Sequence, residues 1–203
     1  MAEKTSAAAA EKATTILLVG VGGQGTILAG KLLANVAAAS GLDVKVSEIH
    51  GMSQRGGSVS TVIRLGERVS TMICDPGCAD VIVAFEAVEA LRALPYLASG
   101  GHLFVNDETI VPVSVNIGAF CMPESVDERL AELGARRICA GCIARELGSP
   151  RSTNVVLVGA LSTTLAFSTE RWEEAIRASV PPATVEANLA AFAAGREAAQ
   201  GMK

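Results

Sequence analysis

The chain has 203 residues, half of them hydrophobic, 19% charged and 3% aromatic, with a net charge of -4. That length fits one domain, and its core must be filled by alanine and branched aliphatics. The acidic balance argues against a general nucleic-acid binder, because phosphate contacts need clustered Lys and Arg. No apolar run approaches the roughly 20 residues that cross a membrane. Residues 1–13 hold Ala, Glu, Lys, Thr and Ser without an apolar core or basic leader, and are expected to be a disordered tail rather than a signal peptide. Residues 14–203 are expected to form one domain.

Ile16–Val19 reads as a first strand that runs directly into Gly20-Val21-Gly22-Gly23-Gln24-Gly25. A helix is predicted over Gln24–Ser40, with Leu28, Leu32 and Val36 at four-residue spacing and Gly41 as the stop. The glycines at 20, 22 and 25 fit G-x-G-x-x-G. There the first permits a tight turn, the second admits the ligand and the third lets helix pack on strand. N–H groups at such a helix start, with the helix dipole, favour a phosphate. A tight strand-to-helix turn with nothing bound remains the alternative.

Val44–Glu48 is predicted as a second strand. Glu48 lies 23 residues after Gly25. It either bonds ribose hydroxyls, as an acid there does in dinucleotide folds, or holds the following loop by accepting its N–H groups. That loop, His50-Gly51-Met52-Ser53-Gln54-Arg55-Gly56-Gly57, offers the planar cation of Arg55 and the neutral hydrogen bonds of Ser53 and Gln54. Loops at the carboxyl ends of strands border the ligand crevice in open α/β sheets, so both glycine loops are expected on one sheet edge.

Ser58–Leu65 and Arg68–Ile73 alternate around Gly66-Glu67, which predicts a hairpin. Asp80–Phe85 reads as a buried strand, with a helix from Glu86 to about Leu94. His102–Asn106 is a strand, and Asp107-Glu108 a solvated turn. Val111–Val115 is predicted as an edge strand because Pro112 cannot donate to a ladder. Ser125 and Glu128 predict a capping box for a helix ending near Gly134. Asn154–Phe167 has the apolar circumference of a buried helix. Helices over Glu170–Ala178 and Thr184–Ala199 finish the chain. The fold class is α/β and Rossmann-like, a mostly parallel sheet with an antiparallel hairpin and a helical C-terminal region.

Five cysteines occur, at 74, 78, 121, 139 and 142. An odd number in an acidic chain points to a reduced, cytoplasmic setting. Cys139-x-x-Cys142 suits a redox pair or half a metal site, but nothing completes a metal site, and small buried or half-buried thiols are expected. No nucleophile elbow, phosphate-loop lysine or supported carboxylate pair is present, so no catalytic residue is predicted.

The run Ser47-Glu48-Ile49-His50-Gly51-Met52-Ser53-Gln54-Arg55-Gly56-Gly57-Ser58-Val59, following the first glycine loop, resembles the gamma-domain group of the 2-oxoacid:ferredoxin oxidoreductases. It is most similar to the beta subunits of the indolepyruvate branch. Ala144-Arg145-Glu146-Leu147-Gly148 and Asn154 through Gly159-Ala160-Leu161 also match, so the resemblance spans roughly Thr15 to Gln200. It implies a chain inactive alone that binds coenzyme A and closes the active site. The partner alpha subunit would carry thiamine diphosphate and iron–sulfur clusters, and electrons would pass to ferredoxin. The same resemblance places Gly22, Gly23, Gln24 and Gly25 near phosphates, and Ser53 and Arg55 on a loop facing ligand or partner. A self-contained nicotinamide- or flavin-dependent oxidoreductase and a nucleotide-sensing module remain the alternatives.

Overall fold

The computed structural model describes residues 13–51 and 56–201. In chain order the elements are β1 (Thr14–Val21), α1 (Thr26–Ala39), β2 (Asp43–His50), β3 (Ser58–Gly66), β4 (Ala79–Ala84), α2 (Ala87–Ala93), β5 (Leu97–Asn106) and α3 (Val113–Asn116). They continue with α4 (Val126–Glu132), β6 (Arg136–Ile138), α5 (Ala140–Glu146), α6 (Thr153–Ser162), α7 (Thr169–Ser179) and α8 (Val185–Gln200). The six strands form one sheet in the order β2-β3-β1-β4-β5-β6.

β3 is antiparallel to both its neighbours, β1 and β2, while β1, β4, β5 and β6 are mutually parallel. β2 therefore runs in the direction of β1 without touching it. The α/β, mostly parallel architecture agrees with the sequence, but the hairpin uses other strands than those expected. β3 pairs back onto β2, and 67–73 joins no ladder. Val59, Thr61, Ile63 and Leu65 face one side and Val62 the other, and all are buried. A strand covered on both faces gains more between two neighbours than at an edge. Residues 69–73 are instead tied by side chains: Val69 N–H donates to Asp43 at 2.8 Å, and Arg64 donates to the Thr71 and Ile73 carbonyls.

Alternation along the strands feeds two cores. Ile16, Leu18, Ile63, Val83 and Phe104 point to the layer containing α1 and α5–α8. Leu17, Val19, Val62, Ile82 and Val105 point to α2 and α4. β1 is buried almost throughout because helices cover it on both sides, which is why it reads as a continuous apolar run.

α6 is buried along its length after Thr153, as its apolar circumference predicts. It stops at Ser162 rather than Phe167. The hydroxyls of Ser162, Thr163 and Thr164 each donate to the carbonyl three residues back, at 2.6, 2.7 and 2.8 Å, as the helix ends. α6 packs against α8, and Gly195 makes that approach feasible: a Cβ there would fall on the Val156 carbonyl. Trp172 of α7 is wedged between Phe167 and Phe192, with ring centroids 6.1 and 5.8 Å away.

Three further expectations are corrected. Val111–Val115 is not a strand: the Pro112 carbonyl accepts from Val115 and Asn116 and starts the single turn α3. Ser125 sits at φ 54° and makes no side-chain cap, so α4 forms without the capping box. Cys139 and Cys142 are joined in a disulfide instead of standing as separate thiols. β6 and α5 carry no expectation from the sequence, because a three-residue strand shows too little alternation to read.

Two outcomes test this packing. Gly195→Ala should cost roughly 1–3 kcal/mol in chemical denaturation, because the added methyl must push the two helix backbones apart. A variant as stable as the parent would show that α6 and α8 separate freely. Glu86, which caps α2 by accepting from Glu89 N–H at 2.9 Å, has its carboxyl pushed above the usual range chiefly by burial. A raised folded pKa makes its contribution greatest below about pH 4.5 and reduces it as pH rises. Thermal melts of Glu86→Gln should therefore improve relative to the parent between pH 4 and 7, and a constant difference would refute the assignment.

Candidate functional site

The carboxyl ends of β1, β4 and β5 open onto a polar cleft of about 510 Å³. Its lining comes from the first glycine loop (Gly23, Gln24, Gly25), from Phe85, Asn106 and Glu108, and from the segment that starts α6 (Pro150, Arg151, Thr153, Asn154). This is the strand-end crevice where ligands bind in open α/β sheets.

Gln24 works as a clip. Its side-chain carbonyl accepts from Val21 N–H at 2.7 Å, and its amide donates to the Phe85 carbonyl at 3.0 Å and towards Glu108 at 3.4 Å. Gly20 lies within β1, and its missing side chain leaves the space: a Cβ would come within 2.8 Å of both Gln24 Oε1 and Phe85 Cβ. Asn106, buried at the end of β5, donates to the same Phe85 carbonyl at 3.1 Å and to Glu108 at 3.0 Å. Its carbonyl oxygen accepts from Ala140 N–H at 3.1 Å. One buried amide thus joins β4, β5 and the start of α5. Asp107 faces away and pairs with Arg137, whereas Glu108 turns into the cleft. Both acids are exposed in the solvated turn expected from the sequence, and Glu108 also lines the cleft.

Gly22 lies where the two glycine loops meet. Its N–H donates to the Gly57 carbonyl at 2.8 Å and its carbonyl accepts from Gly56. Both loops therefore share one sheet edge, as expected, but the Gly22 N–H is spent on the neighbouring loop. Gly23, at φ 106°, is exposed with open space at its Cβ position. Gly25 caps α1 at φ 85°, and a Cβ there would come within 2.5 Å of Asn154 Nδ2, which donates to the Gly25 carbonyl. The third glycine thus serves a contact with α6 rather than with the strand. No side chain caps α1 and no acid lies in its first turn, so its leading N–H groups suit an external anion.

Glu48 is exposed on edge strand β2, opposite Thr61, with β3 between it and β1. It does not line the cleft. Ser53 and Arg55 lie outside the described residues. The cation at the cleft is Arg151, which is exposed and makes no ion pair with a described residue. Sequence reasoning passed over it. The available signal was its place just ahead of a buried helix, where a basic side chain opposes the helix dipole unless an anion is present. The cleft therefore offers one cation, one acid and several neutral donors and acceptors, a set suited to binding a polar anionic ligand.

Among the described residues no helix is long and apolar enough to cross a membrane. The model of the pyruvate ferredoxin/flavodoxin oxidoreductase family matches residues 15–198. Indolepyruvate oxidoreductase subunit IorB of Thermococcus kodakarensis is 45% identical over 199 residues, covering 94% of this chain and 98% of its own. The 2-oxoglutarate synthase subunit KorC of Methanothermobacter marburgensis is 34% identical, covering 90% and 94%. The gamma subunit of a keto/oxoacid ferredoxin oxidoreductase from Geobacter sulfurreducens has a TM-score of 0.68 at 25% identity, covering 93% of this chain and 99% of its own. The 2-oxoglutarate:ferredoxin oxidoreductase of Magnetococcus marinus, whose structure holds 2-oxoglutarate, coenzyme A and succinyl-CoA, shares the fold with a TM-score of 0.72 at 23% identity. The match covers 94% of this chain and 32% of that one. With the family model matched along nearly its whole folded length, the chain belongs to the pyruvate ferredoxin/flavodoxin oxidoreductase family.

Proposed function

We propose that this chain is the small subunit of an indolepyruvate, or aryl-pyruvate, ferredoxin oxidoreductase, folded as one domain over residues 14–203 and working in the cytoplasm. Its role is to bind the coenzyme A that accepts the acyl group and to close the active site. Thiamine diphosphate and the iron–sulfur clusters belong to the partner alpha subunit, which passes electrons to ferredoxin. The observation that carries this reading is the strand-end cleft. Arg151, the uncapped start of α1 and Thr153 suit phosphate, and Glu108 suits a hydroxyl or amino group of the nucleotide. The relatives' names supply the substrate class.

The residues divide by task. Gly20 and Gln24 shape the cleft wall, Gly22 couples the two loops, and Gly23 and Gly25 bring backbone N–H groups towards the phosphate. Ser53 and Arg55 of the second loop are proposed contacts with ligand or partner, and Glu48, exposed on β2, is a proposed contact with the partner. On this reading the chain binds and positions the ligand while its partner carries out the chemistry.

Two experiments test the reading. The chain alone should leave indolepyruvate untouched. Adding the large subunit anaerobically should restore reduction of ferredoxin or a viologen dye. Turnover by the lone chain with a nicotinamide would overturn the proposal. Arg151→Ala should weaken coenzyme A binding by the complex roughly 10- to 150-fold, the loss of a charge-assisted contact of about 1.5–3 kcal/mol. Arg151→Lys should recover only a fraction of it, because an ammonium lacks the planar fork. The melting temperature should barely move, since the side chain is exposed. Unchanged calorimetric affinity in both variants would remove Arg151 from the site.

A further inference from the structure

Cys139 of the Cys139–Cys142 disulfide lines a cleft that adjoins the ligand cleft. A second cleft of about 290 Å³ adjoins the first and shares Asn106, Glu108, Pro150 and Thr153 with it. Cys139 and Arg145 line this second cleft, and Cys142 does not. Arg145 Nη2 stands 3.5 Å from Cys142 Sγ. The residue after Cys139 is anchored through Ala140 N–H to Asn106, the amide that also fixes Glu108 in the first cleft. Both cysteines are half-buried, but only Cys139 borders the cleft and only Cys142 is in contact with the Arg145 guanidinium.

From this asymmetry we propose that Cys139–Cys142 is a thiol–disulfide exchange site for low-molecular-weight thiols. The incoming thiolate attacks Cys139 Sγ from the cleft. The Cys139–Cys142 bond breaks, and Cys142 leaves as a thiolate with its electron pair beside the Arg145 guanidinium. A positive charge at that distance lowers a thiol's pKa, and the sulfur with the lower pKa departs faster. A second thiolate attacks the small-molecule sulfur of the mixed disulfide and expels the Cys139 thiolate. Protons from solvent restore the thiols. Two thiols are oxidised to one disulfide and the protein pair gains two electrons. The reverse reaction, with a small disulfide as oxidant, reforms the bond. Through Ala140 and Asn106 the exchange bears on the wall of the ligand cleft. The site stands apart from the coenzyme A assignment, since any small thiol that enters the second cleft meets the same sulfur.

The full chain, oxidised and folded, is incubated separately with coenzyme A and with glutathione, then quenched with an alkylating agent. Fragment-ion mapping should find the small thiol on Cys139 and the alkyl group on Cys142. Equal rates with the two thiols would mean that the cleft does not discriminate between them, and a faster rate with coenzyme A would assign selectivity to the adjoining cleft; both outcomes uphold the exchange site. Arg145→Gln should slow the attack about threefold or more, following the leaving-group dependence of exchange. In Cys139→Ser, the same change should raise the pH midpoint of Cys142 alkylation by about one unit or more. An adduct found on Cys142 instead, reduction only under unfolding conditions, or a pH midpoint indifferent to Arg145 would overturn the proposal. Circular dichroism and thermal melts of Arg145→Gln separate a folding defect from loss of the charge.

Discussion

The carbonyl of Phe85 is the point on which the functional edge of the sheet depends. It takes two side-chain amide donors at once, from Gln24 after β1 and from Asn106 at the end of β5. Parallel strands end with their last carbonyls unpaired, and a buried unpaired carbonyl is costly. Here two amides satisfy one carbonyl and in doing so bind three successive parallel strands at a common level. Asn106 extends the tie to α5 through Ala140, and Glu108 is held by both amides. Cleft, glycine loop and disulfide therefore belong to one hydrogen-bonded assembly. Low local dielectric makes such a network strong when complete and costly when one member is missing.

The position of β3 sets the other boundary of the site. In a simple dinucleotide fold the second parallel strand lies beside the first and its terminal acid reaches the ribose. Here an antiparallel strand occupies that place, and Glu48 is carried to the sheet edge. The same insertion brings the second glycine loop back to Gly22, where the two loops exchange backbone hydrogen bonds. The chain thus gives up one common nucleotide contact and gains a junction between two glycine loops at the cleft.

Close backbone approach recurs where the structure positions function. Gly25 admits Asn154, and Gly195 admits Val156, so α6 is pressed against the glycine loop at one end and against α8 along its side. The segment carrying Arg151 runs directly into this buried helix.

The sequence by itself determined the first strand, the glycine turn, α1, the buried α6 and the closing helices. Each has a long apolar period bounded by local stop signals, and such signals act within a few residues. The shared edge of the two glycine loops was also legible, since strand direction fixes where each loop emerges. Only the tertiary structure decided which strand neighbours β3, because alternation in 58–65 names the faces and not the partner. It alone brought Arg151 from a separate segment to Asn106 and Glu108, and closed the Cys139–Cys142 pair beside them. The spacing of Cys139 and Cys142 offered a redox pair, but no spacing shows the approach of Arg151, which depends on where the sheet places its strand ends.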